Sequence, residues 1–353
     1  MGEIKLDIVA GFLGAGKTTL INKLLREAWQ GEKTAVLENE FGEIGVDGDL
    51  LKGHGLTVKE ITNGCICCTL KGDFVEGIKE LARDYRPERI VIEPTGIGKV
   101  ADILDACRLA EREAPVSVCT VMTTVQAPLV SAFLKVSGEF YREQIASAPV
   151  IVLSAVQKLR AEDPPLTEAL RKIRELNPGA AVFTDPWDTL DSLRLLAVAE
   201  EMTGRALGPG PRAGGSGQGG ESGGGHGHKR EDGAGHEPEH EREDGAGHEH
   251  NHGHEHGHSL ENGGFDSCSF MLKDPWAGED VDDLVGRMKN GCFGEIFRAK
   301  GFFPVRGRPC KLDYVYGRAS LVPADYPGEG KFVVIGRGIK KEELALYMES
   351  RRP

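Results

Sequence analysis

Three short stretches of this chain carry residue types at spacings that could do chemistry. The first is Gly11-Phe12-Leu13-Gly14-Ala15-Gly16-Lys17-Thr18-Thr19. It fits G-x-x-x-x-G-K-[ST], the turn whose backbone N–H groups close around phosphate oxygens at a helix N-terminus. Gly11, Gly14, Ala15, Gly16, Lys17, Thr18 and Thr19 are the expected nucleotide-binding residues. Lys17 would carry charge to the β- and γ-phosphates, and the Thr18 hydroxyl would bind Mg²⁺. The second stretch is Ile90-Val91-Ile92-Glu93-Pro94-Thr95-Gly96. An acid ending a buried strand lies on the ligand side of an α/β sheet, so Glu93 is expected to order water on Mg²⁺ or polarise the attacking water. Lys17, Thr18 and Glu93 are therefore the expected catalytic residues.

The third stretch is Asn63-Gly64-Cys65-Ile66-Cys67-Cys68. Thiolates at i, i+2 and i+3 can face one soft cation if the loop curls, and thiolate suits Zn²⁺ and similar metals. Three sulfurs leave a tetrahedral site one ligand short, an arrangement suited to a metal that is passed on. Glu38, Glu43 and His54 are the nearby candidates to complete it, His54 being the weakest because it reads as a surface-loop residue. Buried structural cysteines or a redox pair are the plainer alternatives, and the tight spacing beside Gly64 argues against them.

These motifs need elements to position them. Leu6–Ala10 reads as a buried strand before the glycine turn, and Lys17–Trp29 as the helix after it. Further strands are expected at Thr34–Leu37, Arg89–Glu93, Val116–Val121 and Val150–Leu153, with a helix through Phe74–Asp84. Continuous apolar strands separated by helical segments indicate a parallel sheet covered on both faces. After residue 265 the pattern predicts strands at Ser269–Leu272, Ile296–Phe303, Leu312–Tyr316 and Phe332–Ile335. Helices are expected near Val281–Lys289 and Lys341–Ser350. The fold class is thus α/β: a P-loop domain at 1–207, a linker at 208–264, and a small α+β domain at 265–353.

The linker is set apart by composition. Of the 48 glycines many fall between Gly204 and Gly264, and Arg230–Glu237 is repeated at Arg242–Glu249. Apolar side chains are almost absent, so no core can form there and disorder is expected. Ten of the 11 histidines lie there. His248, His250, His252, His254, His256 and His258 stand in His-x-His spacing, which suits weak, adaptable capture of Zn²⁺, Ni²⁺, Co²⁺ or Cu²⁺. A solubilising low-complexity linker is the alternative. The other five cysteines, Cys107, Cys119, Cys268, Cys292 and Cys310, have no ligand spacing and read as small core residues.

With 353 residues and 39% hydrophobic content, the chain can bury a core, which excludes global disorder. The net charge of −12, from 43 Lys plus Arg against 55 Asp plus Glu, argues against a nucleic-acid surface. No apolar run approaches membrane-helix length, no export signal opens the sequence, and thiols crowd together. A cytoplasmic protein with no membrane partner is expected.

Taken together, Gly11–Thr19, Glu38-Asn39-Glu40-Phe41-Gly42-Glu43, Gly64–Cys68, Glu93–Gly96 and Arg298-Ala299-Lys300-Gly301-Phe302 resemble the CobW-like family of P-loop GTPase metallochaperones. The order of P-loop domain, His-rich insert and C-terminal domain is similar as well. The resemblance implies GTP with Mg²⁺, a transition-metal cargo of Zn²⁺, Co²⁺ or Ni²⁺, and a client metalloprotein or metal-insertion complex. It implies that Glu38–Glu43 is a switch segment, with its acids and Cys65, Cys67 and Cys68 joining nucleotide state to metal binding. Two departures stand out. The family's Asn-Lys-x-Asp-like element is here Ser154-Ala155-Val156-Gln157, where neutral Gln157 is a weaker guanine reader, so ATP stays open. Val121-Met122-Thr123-Thr124 replaces a Val-Asp-Ala-like segment, and no role is assigned to it. No cis arginine finger stands out, so intrinsic turnover should be slow. A small-molecule kinase and a metal store with a vestigial nucleotide site are the competing functions.

Overall fold

The computed structural model describes residues 2–39, 57–61, 70–157, 159–208, 264–326 and 328–351. Glu43, His54, Cys65, Cys67, Cys68 and the six histidines from His248 to His258 lie outside the described residues.

β1 (Ile4–Gly11) is buried at almost every position, which demands cover on both of its faces. It lies at the middle of a seven-stranded sheet. Its neighbours are β2 (Thr34–Asn39), β3 (Thr57–Ile61), β4 (Arg89–Glu93), β5 (Val116–Gln126), β6 (Val150–Ser154) and β7 (Ala181–Phe183). Their order is β3-β2-β4-β1-β5-β6-β7, and every pairing is parallel. Alternation sorts the side chains. Leu6, Ile8, Leu37, Ile90 and Ile92 meet α2 (Leu70–Glu80) and α3 (Val100–Glu113) through Phe74, Ile78, Ile103 and Cys107. Val9, Val36 and Val91 face the other way, onto α1 (Lys17–Glu27) and α7 (Ser192–Leu207). α1 meets them because Leu20, Ile21, Leu24 and Leu25 recur at helical spacing and form its buried face.

Three helices complete this lobe: α4 (Val130–Val136), α5 (Gly138–Ala146) and α6 (Pro164–Leu176). The second lobe is a five-stranded antiparallel sheet ordered β11-β10-β9-β12-β8. It comprises β8 (Phe265–Leu272), β9 (Glu295–Val305), β10 (Arg308–Val315), β11 (Arg318–Pro323) and β12 (Gly330–Arg337). α8 (Gly278–Lys289) and α9 (Lys341–Ser350) cover one face through Leu284, Met288, Leu344 and Met348.

The opposite face of this sheet packs on the first lobe, and both belong to one compact unit. Phe12 stands edge-on to Phe265 and Phe297, with ring centroids 6.0 and 6.4 Å away, and Phe133 meets Tyr316 at 5.6 Å. The Arg337 guanidinium lies 4.4 Å from the Phe265 ring and donates to the Val136 carbonyl. Phe12 belongs to the glycine turn itself, so the phosphate-binding motif is also part of the interface between the lobes.

Every strand and helix expected from the sequence is present, with ends shifted by a few residues. β3, β7 and β11 were not expected, nor were the individual helices α3 to α7. β7 has only three residues, and β11 is exposed along nearly its whole length, so neither carries a strong apolar signal. Of the five cysteines expected in the core only Cys107 is buried; Cys119, Cys268 and Cys310 are half-buried, and Cys292 is exposed.

A polar group sits in the first lobe's core. Asp7, fully buried, pairs with Arg89 and accepts a 2.6 Å hydrogen bond from the Thr120 hydroxyl, while Arg89 Nε also reaches Glu32 at 2.7 Å. Burial pushes the Asp7 carboxyl up; Arg89 and Thr120 pull it back down. Arg89→Ala should therefore cost about 3–5 kcal/mol in urea unfolding at neutral pH, by leaving an unpaired buried carboxylate. Because the folded-state value lies above the unfolded one, that loss should shrink as pH falls and Asp7 protonates.

Candidate functional site

The glycine turn leaves β1 at the carboxyl edge of the sheet and enters α1 at Lys17. Gly11, Gly14 and Gly16 all have positive φ, and Gly16 at φ +98° is the N-cap of α1. The turn is clamped from three sides. A Cβ on Gly96 would come 2.7 Å from Leu13 N, so Glu93–Gly96 can lie against the turn only with glycine at that position. A Cβ on Gly14 (φ +74°) would stand 2.5 Å from Val315 Cγ2, a residue of the second lobe. The space beside Gly16 is closed by the Trp187 ring, whose indole N–H donates to the Leu153 carbonyl at 2.7 Å.

Thr18 Oγ1 donates to Glu93 Oε1 at 2.9 Å. Glu38, one residue before the end of β2, is in register with Glu93 at the end of β4, and both are buried, at 2% and 3% exposure. Two carboxylates are thus held side by side next to the first turn of α1. Lys17 answers them. Enclosure of its ammonium lowers its pKa to about 8, Lys300 and Arg298 of the second lobe push the same way, and Glu93 and Glu38 resist. A hydroxyl and two carboxylates form an all-oxygen donor set, which fits a hard divalent cation such as Mg²⁺. A dense cationic and N–H-rich turn beside it fits a polyphosphate.

At the far side of the turn, Ser154 ends β6 and Ala155 takes φ +58°, a conformation uncommon for a residue with a Cβ. Val156 is buried and Gln157 is exposed. Thr124, to which the sequence assigns no role, donates to the Ala10 carbonyl at 3.2 Å and backs Gly11. Trp187 was also missed, because a single aromatic in a turn after a three-residue strand has no local signature.

Lys17, Thr18, Glu38 and Glu93 are therefore brought together, and Gln157 lies in the stretch that follows Ser154. Among the described residues no three His, Cys, Asp or Glu side chains converge as a metal site. No helix among them is long and apolar enough to cross a membrane.

A glycine turn feeding a helix N-terminus at the carboxyl edge of a parallel sheet defines a P-loop nucleotide-binding protein of the α/β class. The chain belongs to the CobW family: the model for the CobW/HypB/UreG nucleotide-binding domain matches residues 5–184, and that for the cobalamin synthesis protein cobW C-terminal domain matches residues 265–350. The zinc chaperone CobW of Sinorhizobium sp is 34% identical over 217 residues, 58% of this chain and 56% of the relative. The zinc chaperone YeiR of Escherichia coli (strain K12) is 37% identical over 175 residues, 50% of this chain and 52% of the relative. The chain thus spans about half the length of the curated relatives it matches. Zn(II)-bound YjiA GTPase from E. coli aligns over 100% of both chains at 18% identity with a TM-score of 0.40, too distant to transfer structure or function.

The Lys17 ammonium loses its proton as pH rises through about 8 in the free protein. A bound polyphosphate would hold that proton, so binding takes one up above this pH. The dissociation constant of a slowly hydrolysed GTP analogue should be flat up to about pH 8. It should then weaken by up to roughly tenfold per pH unit, measured by calorimetry. Lys17→Met should bind far more weakly and lose this slope.

Proposed function

We propose that this protein is a GTP-dependent metallochaperone: nucleotide binding and hydrolysis at the P-loop change its hold on a transition-metal ion, which it then delivers to a client protein. The observation that carries this reading is the pairing of Glu38 with Glu93 beside Thr18. Glu38 is the last charged residue of β2 before the segment containing Glu43, so whatever orders the phosphate edge acts directly on the start of that segment. β3 runs parallel to β2 and ends at Ile61, four residues before Cys65. Both segments proposed to hold the metal are thus tethered to the same edge of the sheet as the P-loop.

In the proposed cycle the backbone N–H groups from Gly14 to Thr19 and the Lys17 ammonium bind the phosphates. Mg²⁺, when bound, would neutralise phosphate charge, with the Thr18 hydroxyl among the groups that would hold it. Glu93, already accepting from Thr18, would hold the water shell there. Loss of the γ-phosphate removes the charge that orders the edge and releases the segment after Glu38. Cys65, Cys67 and Cys68 are proposed as the cargo ligands, with Glu38 or Glu43 completing the set, and the histidines from His248 to His258 as a capture tract. Zn²⁺ is the favoured cargo because thiolate ligands suit it. The zinc chaperones among its relatives agree with that choice. Gln157, exposed beside the strained Ala155, is proposed to face the base, and its neutral amide would discriminate guanine from adenine only weakly.

The test measures Zn²⁺ affinity of the full chain carrying His→Ser at the six tract histidines, with GTPγS, ATPγS or GDP bound. Triphosphate and diphosphate states should differ by at least about tenfold, and Cys65→Ser should abolish the high-affinity site in both. Equal affinity in all three states would remove the coupling.

A further inference from the structure

Residues Pro94 to Lys99 lead from the end of β4 into α3, and α5 grips this segment. Gln144, 1% exposed, donates from Nε2 to the Gly96 carbonyl at 3.1 Å and to the Gly98 carbonyl at 2.8 Å. Its neighbour Glu143 reaches the turn beyond, accepting from the Val100 N–H at 3.0 Å and the Ala101 N–H at 3.2 Å. α3 starts after Lys99 with no side-chain cap from its own N-cap residue, so Glu143 caps it from a different helix. A carboxylate there also meets the positive end of the helix dipole. The Ser147 hydroxyl donates to Glu143 Oε1 at 3.0 Å and holds that carboxylate in place.

α5 is itself a fixed post. Asn177, which ends α6, donates from Nδ2 to the carbonyls of Ile145, Ala146 and Ala148 at 2.9, 3.1 and 2.9 Å. Tyr141 and Ile145 are buried in the core, and the Tyr141 ring lies 5.3 Å from Phe12 of the glycine turn. The gripped segment matters to the site at two points. It follows Glu93, which accepts from Thr18, and it contains Gly96, which lies so close to Leu13 that no Cβ fits. Gln144 thus holds the segment at the residue that bears on the phosphate turn. An amide is a costly choice there, because Gln144 Oε1 is buried with no hydrogen-bond partner among the described residues. A methionine would fill similar space without that cost, so what the amide supplies is its two donor contacts.

We propose that Gln144 and Glu143 are positioning residues for hydrolysis at the P-loop: from α5 they fix the segment after Glu93, so that Glu93 stays at Thr18 and Gly96 stays against Leu13. The inference rests on the reading of Gly11–Thr19 and Glu93 as a nucleotide-hydrolysing site. It extends that site to a helix whose side chains act through the backbone of Gly96–Ala101. A bound diphosphate would be held by Lys17 and the N–H groups of Gly14–Thr19, to which Gln144 donates nothing. The water shell that Glu93 holds depends instead on where the segment lies. Loss of the grip therefore slows hydrolysis and leaves diphosphate binding in place.

The test uses the full chain in Mg²⁺ buffer. It reads GTP turnover, GDP affinity by calorimetry, thermal unfolding, and hydrogen exchange of residues 94–101 by mass spectrometry. Gln144→Met keeps the volume and removes both donors. Its kcat should fall roughly 30-fold, with KM and the GDP dissociation constant changed by less than about threefold. Glu143→Ala should lose turnover and speed exchange at Val100 and Ala101, and Glu143→Gln, which keeps one acceptor oxygen, should recover part of both. Asn177→Ala is the structural control: it should lower the unfolding temperature by loosening α5, yet keep kcat within about threefold of the parent. Glu139→Ala removes only an exposed ion pair to Lys99 at 3.5 Å and should leave turnover unchanged. Unchanged turnover in Gln144→Met overturns the proposal and leaves the hydrolysis reading standing. So does an equal loss in Asn177→Ala, which would mark general support of the helix, and so does an equal loss of GDP affinity and turnover. A parent protein that does not hydrolyse GTP overturns both.

Discussion

The ligand edge of this protein is organised by a balance of buried charge. Glu38 and Glu93 stand in register on adjacent parallel strands, and two carboxylates removed from water repel one another unless cations or donors meet them. The Thr18 hydroxyl and the Lys17 ammonium do so from the first turn of α1. That turn can reach them only because the glycines before it let the chain double back closely over the strand ends. The cost of enclosing Lys17 is visible in its lowered pKa. Added phosphate charge relieves that cost, so the P-loop is electrostatically prepared for an anion.

The same balance joins the lobes. Phe12 and Gly14 are at once phosphate-turn residues and interface residues, one buried among Phe265 and Phe297 and the other pressed by Val315. The turn therefore cannot shift without disturbing the aromatic packing between the sheets. Packed aromatic clusters resist gradual deformation, so a change at the phosphates would pass to the second lobe as a discrete rearrangement. Lys300 and Arg298 add an electrostatic component to this mechanical one, since both press on the Lys17 ammonium.

Much of the architecture was legible in the chain. Val150-Ile-Val-Leu153 and Arg89-Ile-Val-Ile-Glu93 are short apolar runs of strand length, and a parallel sheet buried on both faces leaves such runs unbroken. α9 was legible because Leu344, Tyr347 and Met348 recur at helical spacing around a polar remainder. The edge strands β3, β7 and β11 were not, since an edge strand gains its pairing from one neighbour and needs few apolar side chains. Cys292 shows the same limit in reverse: nothing in its local sequence says that its loop faces solvent.

For the site, the division is by range of interaction. A phosphate turn is a local device of glycines, a lysine and a hydroxyl within nine residues, so sequence alone determined Gly11–Thr19, the strand before it and the helix after it. The acid at the end of Arg89–Glu93 could be singled out for the same reason. Its hydrogen bond to Thr18 could not, because that contact joins residues 75 positions apart. Trp187 against Gly16, Thr124 behind Gly11 and Val315 on Gly14 were decided by tertiary structure alone. So was the approach of Arg298 and Lys300 to Lys17. Each depends on where distant strands end after the sheets have twisted and packed, and no periodicity within one segment encodes that.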